Sequence, residues 1–125
     1  MKKVILPSGV TSIGTSAFTN CYSLSEITIP NSVTSIGESA FLSGYTLNEI
    51  TCLATTAPTL SYSFSYMSYN GVLYYPQGSY YSSWLSTSYS YLGYYNWVGV
   101  ELQDSYDFKV NFITNGVRVD SPYNS

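Results

Sequence analysis

The chain has 125 residues, a formal net charge of −3 and only 9% charged residues. A chain of this length forms one domain, and its negative charge argues against a nucleic acid as partner. No apolar run approaches the ~20 residues that a membrane-crossing helix needs, so the sequence predicts no membrane insertion.

Residues 7–52 consist of a 23-residue unit that occurs twice. The first copy runs from Pro7 to Ile29 and the second from Pro30 to Cys52, and 14 of the 23 aligned pairs are identical. A fixed period of this size is typical of a solenoid, in which each unit buries its apolar face by stacking on the next. We therefore predict a ladder of parallel strands with equivalent residues stacked. The expected interior pairs are Ile13 with Ile36, Phe18 with Phe41, Leu24 with Leu47, and Ile27 with Ile50.

Two further expectations concern the turns of the repeat and its first strand. Gly14 and Gly37 are expected at sharp turns with a positive φ. Residues 4–6 fall in register with residues 27–29, which makes the first strand an open edge that another chain can extend. Because a solenoid generally needs three or more repeats, we expect a homo-oligomer or part of a larger chain.

The repeat resembles a known family. Both copies follow the pattern I-P-x-x-V-T-S-I-G-x-x-A-F-x-x-C-x-x-L-x-x-I-x-I-P, with Cys21 in the first copy and Gly44 in the second at the cysteine position. This pattern resembles the BspA-type leucine-rich repeat of bacterial surface proteins. Residues 52–60 and 73–79 are similar to the C-terminal capping stretch of such arrays, in which a V-P-x-G-S motif precedes a short helix. The resemblance implies a capped solenoid that serves as a surface adhesion module.

Three regions follow from these patterns: a leucine-rich-repeat solenoid fragment at 1–53, a Tyr-rich cap at 54–103, and a β-hairpin appendage or the start of a further domain at 104–125. The fold class is α+β or mostly β. The Asn115-Gly116 pair marks the turn of the hairpin. In the cap, Ser79 can begin a helix and Gly93 can end one. The cap elements expected are strands at 61–65, 72–75 and 97–100 and one helix at 80–91.

Residues 61–95 have an unusual composition, with eleven Tyr, ten Ser and no charged residue. Tyr and Ser together are typical of antibody paratopes, where Tyr supplies contact area and Ser supplies adaptable hydrogen bonds. The alternative is that Tyr replaces Phe and Leu in an ordinary core, with hydroxyls at the solvent boundary. If the segment binds protein or glycan, the side chains expected to be exposed and to make the contact are Tyr62, Tyr66, Tyr69, Tyr80 and Tyr89.

The composition also argues against catalysis. The chain has no His, so neither a Ser-His nor a Cys-His nucleophile can form. Glu26 and Glu49 would stack at a spacing near that of a retaining glycosidase pair, but on an open strand face. Cys21 and Cys52 are not equivalent in the repeat, and two cysteines without His make no metal site. We therefore predict no enzymatic activity, no metal and no cofactor.

Two functions remain in view. The first is a non-enzymatic binding or adhesion module that recognises protein or glycan, extracellular or at a bacterial cell surface. The alternative is a phage virion component, either structural or receptor-binding, such as a fibre or decoration protein. Only three apolar residues follow Lys2 and Lys3 before Pro7, so this chain shows no secretory signal. That absence and the charge-poor Tyr/Ser segment favour the alternative.

Overall fold

The computed structural model describes residues 2–103, and the predicted hairpin at 104–125 lies outside them. Short strands dominate the described part of the chain. The strands are β1 Lys2–Ile5, β2 Ser12–Ile13, β3 Leu24–Ile29, β4 Ser35–Ile36, β5 Glu49–Cys52, β6 Thr59–Leu60, β7 Val72–Pro76 and β8 Val98–Leu102, and a 3₁₀ helix spans Leu92–Tyr95.

The strands form two parallel sheets. The larger sheet has the order β1-β3-β5-β7-β8, and the smaller has the order β2-β4-β6. Ile27 of β3 lies between Val4 of β1 and Ile50 of β5. Ile36 of β4 likewise lies between Ile13 and Leu60. The predicted ladder of stacked, in-register repeat positions is confirmed.

A third line of hydrogen bonds joins the turns that follow β2 and β4. The backbone N–H of Phe18 donates to the carbonyl of Ala40 at 2.8 Å, and that of Phe41 donates to the carbonyl of Ser63 at 3.0 Å. The first three coils are therefore joined to one another along both sheets and along these turns. Backbone groups that strands alone would leave unpaired are satisfied in this way.

The ladder extends beyond the sequence repeat. β7 pairs with β5, so that Leu73 lies beside Ile50, and β8 pairs with β7, so that Gly99 lies beside Leu73. Five stacked strands therefore enclose four coils, although residues 53–75 keep few identities with the first two units. What they keep is an apolar residue at the positions that face the interior, including Phe64 and Leu73, both fully buried.

The core centres on a stack of aromatic rings. Phe41 lies between Phe18 and Phe64, with centroids 5.4 and 5.5 Å away and planes within 16° of parallel. Trp84 closes the stack edge-on to Phe64 at 5.5 Å. Phe41 is buried as predicted, whereas Phe18 is only partly buried. Among the described residues no ring covers the other face of Phe18, which explains its exposure.

The expectation of a positive φ at Gly14 and Gly37 is wrong. In the described residues, glycine has a positive φ at Gly9 and Gly78. Gly37 is required for a different reason: a Cβ there would lie 2.7 Å from the backbone N of Thr15 in the preceding coil. The same Cβ on Gly14 would meet no atom within 4 Å. Close stacking of consecutive turns, not backbone handedness, selects glycine at position 37.

Two of the predicted cap elements do not form. Residues 61–65 are not a strand, because the pairing is made by β6 just before them. Residues 80–91 contain turns instead of a helix, and a 3₁₀ helix follows them at Leu92–Tyr95. The carbonyl of Trp84 accepts from the backbone N–H of Leu92 at 2.9 Å, and its indole N–H donates to the carbonyl of Pro58 at 2.9 Å. These tertiary bonds and the low helix propensity of a Ser- and Tyr-rich segment both favour turns over a helix.

The strands predicted at 72–75 and 97–100 are present as β7 and β8. The two thiols are free, with Cys21 partly exposed and Cys52 buried. The hydroxyl of Tyr81 lies 3.2 Å from the Cys52 sulfur and donates to the carbonyl of Ala54 at 2.6 Å. Burial raises the pKa of both Cys52 and Tyr81, so each is neutral at ordinary pH.

Candidate functional site

All five tyrosines predicted to form a binding surface are exposed, and Tyr80 is the most exposed at 87%. The expectation of exposure at Tyr62, Tyr66, Tyr69, Tyr80 and Tyr89 is therefore confirmed. The structure does not gather them into one surface. It brings three of them together through two tyrosines that the sequence did not single out.

The tyrosine cluster comprises Tyr66, Tyr69, Tyr89, Tyr94 and Tyr95. Four of the rings meet edge to face: Tyr69 with Tyr95 at 5.5 Å, Tyr94 with Tyr95 at 5.0 Å, and Tyr89 with Tyr94 at 5.3 Å. Tyr66 joins them through its backbone N–H and not through its ring. The interplanar angles are 76°, 76° and 90°. Edge-to-face packing is a favourable arrangement for aromatic rings, worth about 0.5–1.5 kcal/mol per pair beyond burial.

Tyr95 is the centre of the cluster. Its ring is buried, and its hydroxyl accepts a hydrogen bond from the backbone N–H of Tyr66 at 2.9 Å. Burial raises the pKa of Tyr95, while this hydrogen bond acts in the opposite direction. The phenol therefore stays neutral and joins the loop at Tyr66 to the 3₁₀ helix.

The loop and the 3₁₀ helix are also joined through their asparagines. The backbone N–H of Asn70 donates to the carbonyl of Tyr95 at 3.0 Å, and the side-chain amide of Asn96 donates to that of Asn70 at 2.6 Å. Asn96 ends the helix in the left-handed region, with φ 62°. Residues nearly thirty positions apart in the chain are thus held in one arrangement, which orders the exposed rings before any ligand binds.

Two of the exposed tyrosines have an unfavourable backbone conformation. Tyr62 has φ 53° and Tyr66 has φ 55°. The left-handed region recurs with the 23-residue period, at Ser16, Ser39 and Tyr62 and again at Asn20, Ser43 and Tyr66. Asn tolerates this region well, whereas a bulky residue there is an outlier. The coil geometry imposes the conformation, and the first two coils meet it with small polar residues.

Tyr62 and Tyr80 lie apart from the tyrosine cluster. Within residues 2–103 neither ring stacks on a member of the cluster. Tyr80 instead borders a separate open cleft of about 420 Å³, together with Tyr75, Tyr81 and Glu101. The sequence-predicted site is therefore divided among the cluster, this cleft and the turn at Tyr62.

Neither Tyr94 nor Tyr95 was predicted, because both lie in the segment expected to follow a helix. Gly93 is the residue that could have indicated a tight return of the chain at this point, because a Cβ there would lie 2.0 Å from the carbonyl oxygen of Leu85. The chain folds back tightly at this glycine, and this return carries Tyr94 and Tyr95 toward the loop of Tyr66 and Tyr69.

The acidic pair on the large sheet has the predicted register. Glu26 lies beside Glu49, and the ammonium of Lys3 lies 3.6 Å from the Glu26 carboxylate. All three side chains are on the solvent face of the sheet. An exposed ion pair of this kind contributes roughly 0–1 kcal/mol.

Within residues 2–103 no group of three or more His, Cys, Asp or Glu is placed to hold a metal ion. Over the same residues, no helix has the length and apolar character required to cross a membrane. The described surface offers aromatic faces and hydroxyl groups, which suit contact with a neutral ligand.

The repeat has a counterpart among known families. The family model described as BspA type leucine rich repeat region (6 copies) matches residues 1–92, most of the chain. No curated protein and no solved structure matches the chain.

Proposed function

Because the chain belongs to the BspA-type leucine-rich repeat family, we propose that it is a non-enzymatic binding module. In this proposal the stacked coils are the scaffold, and residues 54–103, which include β7 and β8, carry the binding surface. The tyrosine cluster contacts a protein or glycan ligand, extracellular or at a bacterial cell surface. The observation that supports it best is the cluster itself, in which the exposed rings of Tyr69 and Tyr94 pack on the buried ring of Tyr95.

Rigid aromatic side chains bind well because little conformational entropy is lost when they are covered. Tyr69, Tyr89 and Tyr94 are each about half exposed or more, yet each packs edge-to-face on another ring of the cluster. Their faces and hydroxyls are available to a ligand, and their positions are already set.

The backbone strain at Tyr66 supports the same proposal. A left-handed tyrosine is costly, and the ring is too exposed for burial to offset the cost. The equivalent residues Asn20 and Ser43 show that the fold accepts small polar residues there. Strain of this kind is concentrated at functional sites, where a residue is retained for what it contacts.

The expected binding depends weakly on salt, because no charged residue lies between Glu49 and Glu101 and screening acts only on charges. A ligand can be found by exposing the labelled full-length chain to a glycan array and to whole cells. The triple variant Tyr66→Ala, Tyr69→Ala, Tyr89→Ala should then weaken binding by at least about tenfold, as expected when hot-spot aromatics are removed.

The matched control is the double variant Tyr22→Ala, Tyr45→Ala. These two rings are exposed to a similar degree and stack on each other at 6.2 Å, but they lie on the first two coils. Unchanged affinity in the triple variant, or an equal loss in the control, would place the binding site elsewhere. Probing washed cells and purified virions with an antibody separates a surface module from a virion component.

Self-association is a further part of the proposal. β1 is an outer strand of the described sheet, and its Ile5 is 67% exposed. An exposed parallel edge can add a strand from a second copy or from a longer chain. Sedimentation of the full chain over a range of concentrations tests this, and a monomer at high concentration contradicts it.

A further inference from the structure

The cleft beside Tyr80 is distinct from the tyrosine cluster. It lies where β7 and β8 end and where the chain turns after Pro76, and its open volume is about 420 Å³. Its lining combines aromatic rings, hydroxyl groups and one carboxylate. The side chains and backbone that define it belong to Tyr75, Gly78, Ser79, Tyr80, Tyr81, Ser82, Leu85 and Glu101.

The carboxylate of Glu101 has an unusual position in the ladder. Glu101 lies beside Tyr75 across the last two strands. In the earlier strands the corresponding inward row holds Ile29 and Cys52, both fully buried. Glu101 is also the only charged residue between positions 50 and 103. The ladder thus ends with a single negative charge where apolar residues precede it.

Glu101 is directed toward the cleft by a hydrogen bond. The backbone N–H of Gly78 donates to Oε2 of Glu101 at 3.3 Å. Gly78 has φ 83°, and a Cβ on it would meet no atom within 4 Å. An ionised carboxylate can accept about four hydrogen bonds, so this contact leaves most of its capacity for donors from a ligand.

The aromatic wall of the cleft is rigid. Tyr75 and Tyr81 stack with centroids 5.2 Å apart and planes 24° from parallel. The hydroxyl of Tyr81 is held in the interior by the carbonyl of Ala54, which fixes the ring. The backbone of Gly99 allows Tyr75 to approach, since a Cβ there would lie 2.9 Å from the Tyr75 ring. The ring of Tyr80 adds an exposed aromatic face at the mouth.

We propose that this cleft binds an arginine side chain of a protein partner. A guanidinium group is planar, stacks on aromatic faces and donates a fork of hydrogen bonds to a carboxylate. The cleft supplies both complements, and the net charge of −3 attracts a cation. No cation lines the cleft, so an acidic group finds no partner in it. The proposal does not depend on the tyrosine cluster, which lacks a charged side chain.

The test uses the ¹⁵N-labelled full-length chain and N-acetyl-arginine methylamide as the probe. The backbone amide of Gly78 is the reporter, because it contacts Glu101 directly. We expect a saturable shift of the Gly78 signal in the millimolar range, weakened by added salt. The isosteric citrulline derivative, which lacks the charge, should bind about two- to fivefold more weakly, the loss expected for an exposed ion pair.

Two variants complete the test. Glu101→Gln should weaken binding by about two- to fivefold through loss of the ion pair, and Tyr80→Ala by roughly two- to fivefold through loss of a cation–π contact. Glu49→Gln removes a carboxylate outside the cleft and should leave the affinity unchanged. An unchanged spectrum away from the cleft shows that each variant is folded. Tyr69→Ala should not affect this titration, so it separates the cleft from the tyrosine cluster.

Three results would overturn the proposal. Equal binding of the arginine and citrulline probes would show that charge is not recognised. Saturation by methyl glycosides with no response to arginine would identify a sugar site. No response to any probe would mean that Glu101 only blocks strand addition at the edge of β8, as charged side chains do at other sheet edges.

Discussion

Phe41→Ala should lower the free energy of unfolding by about 4 kcal/mol, within the ~3–5 kcal/mol typical of replacing a buried phenylalanine with alanine. Phe41 is 1% exposed and has a ring on each side, at 5.4 and 5.5 Å. The neighbouring coils cannot close the gap easily, because backbone hydrogen bonds at Phe18 and Phe41 set their separation. The substitution therefore leaves a cavity and removes two ring contacts of about 0.5–1.5 kcal/mol each.

The assay is urea-induced unfolding followed by the fluorescence of the two buried tryptophans or by circular dichroism. Phe18→Ala is the matched control, since Phe18 has the equivalent position in the first coil but is only partly buried and has one ring neighbour. We expect a loss of about 2 kcal/mol for the control, roughly half that of a buried ring. A loss below about 1 kcal/mol for Phe41→Ala, or an equal loss for the two variants, would refute the argument that the stack cannot collapse.

Three further predictions use the same unfolding assay. Gly37→Ala should lower the free energy of unfolding by about 1–3 kcal/mol, because the added Cβ meets the backbone of Thr15. Gly14→Ala should leave the free energy of unfolding nearly unchanged, and equal effects of the two substitutions would contradict this explanation. Tyr66→Asn should raise the free energy of unfolding by about 0.5–1 kcal/mol, because asparagine adopts the left-handed backbone conformation with less strain than tyrosine. The same substitution should lower the affinity for the ligand. A loss of stability would show that the Tyr66 ring makes stabilising contacts. The free energy of unfolding should fall as the pH rises above about 9, because burial raises the pKa of Cys52 and of Tyr81 in the folded chain. The unfolded chain therefore loses these two protons at a lower pH than the folded chain does. Tyr81→Phe should flatten this fall above pH ~10, and an unchanged slope would show that other groups cause it.

The repeat by itself predicts the register of β1, β3 and β5 in the larger sheet. Identical residues 23 positions apart can all be buried only if the coils stack in parallel, so Ile27 must lie between Val4 and Ile50. The exposure of Tyr66 and Tyr69 was also predictable, because eleven tyrosines exceed what a small core can contain. These features depend on composition and on spacing along the chain.

Only the tertiary structure determines the features of residues 53–103 that the 23-residue period does not specify. The ladder continues through β7 and β8 because Phe64 and Leu73 fill the interior and the backbone bonds persist, although the surrounding residues have changed. The segment expected to be a helix forms turns, because the Trp84 indole donates to the Pro58 carbonyl and the Trp84 carbonyl accepts from Leu92, eight residues further on.

The two candidate sites show the same division. The tyrosine cluster joins Tyr66 to Tyr95, and the cleft joins Gly78 to Glu101, across more than twenty residues in each case. The 23-residue pattern does not predict the last strand pairing, because β8 pairs with β7 at a spacing of 26 residues, as between Tyr75 and Glu101. Close packing at Gly93 and Gly99 brings the residues of the two sites together, and such fits depend on three-dimensional shape that no local pattern in the sequence specifies.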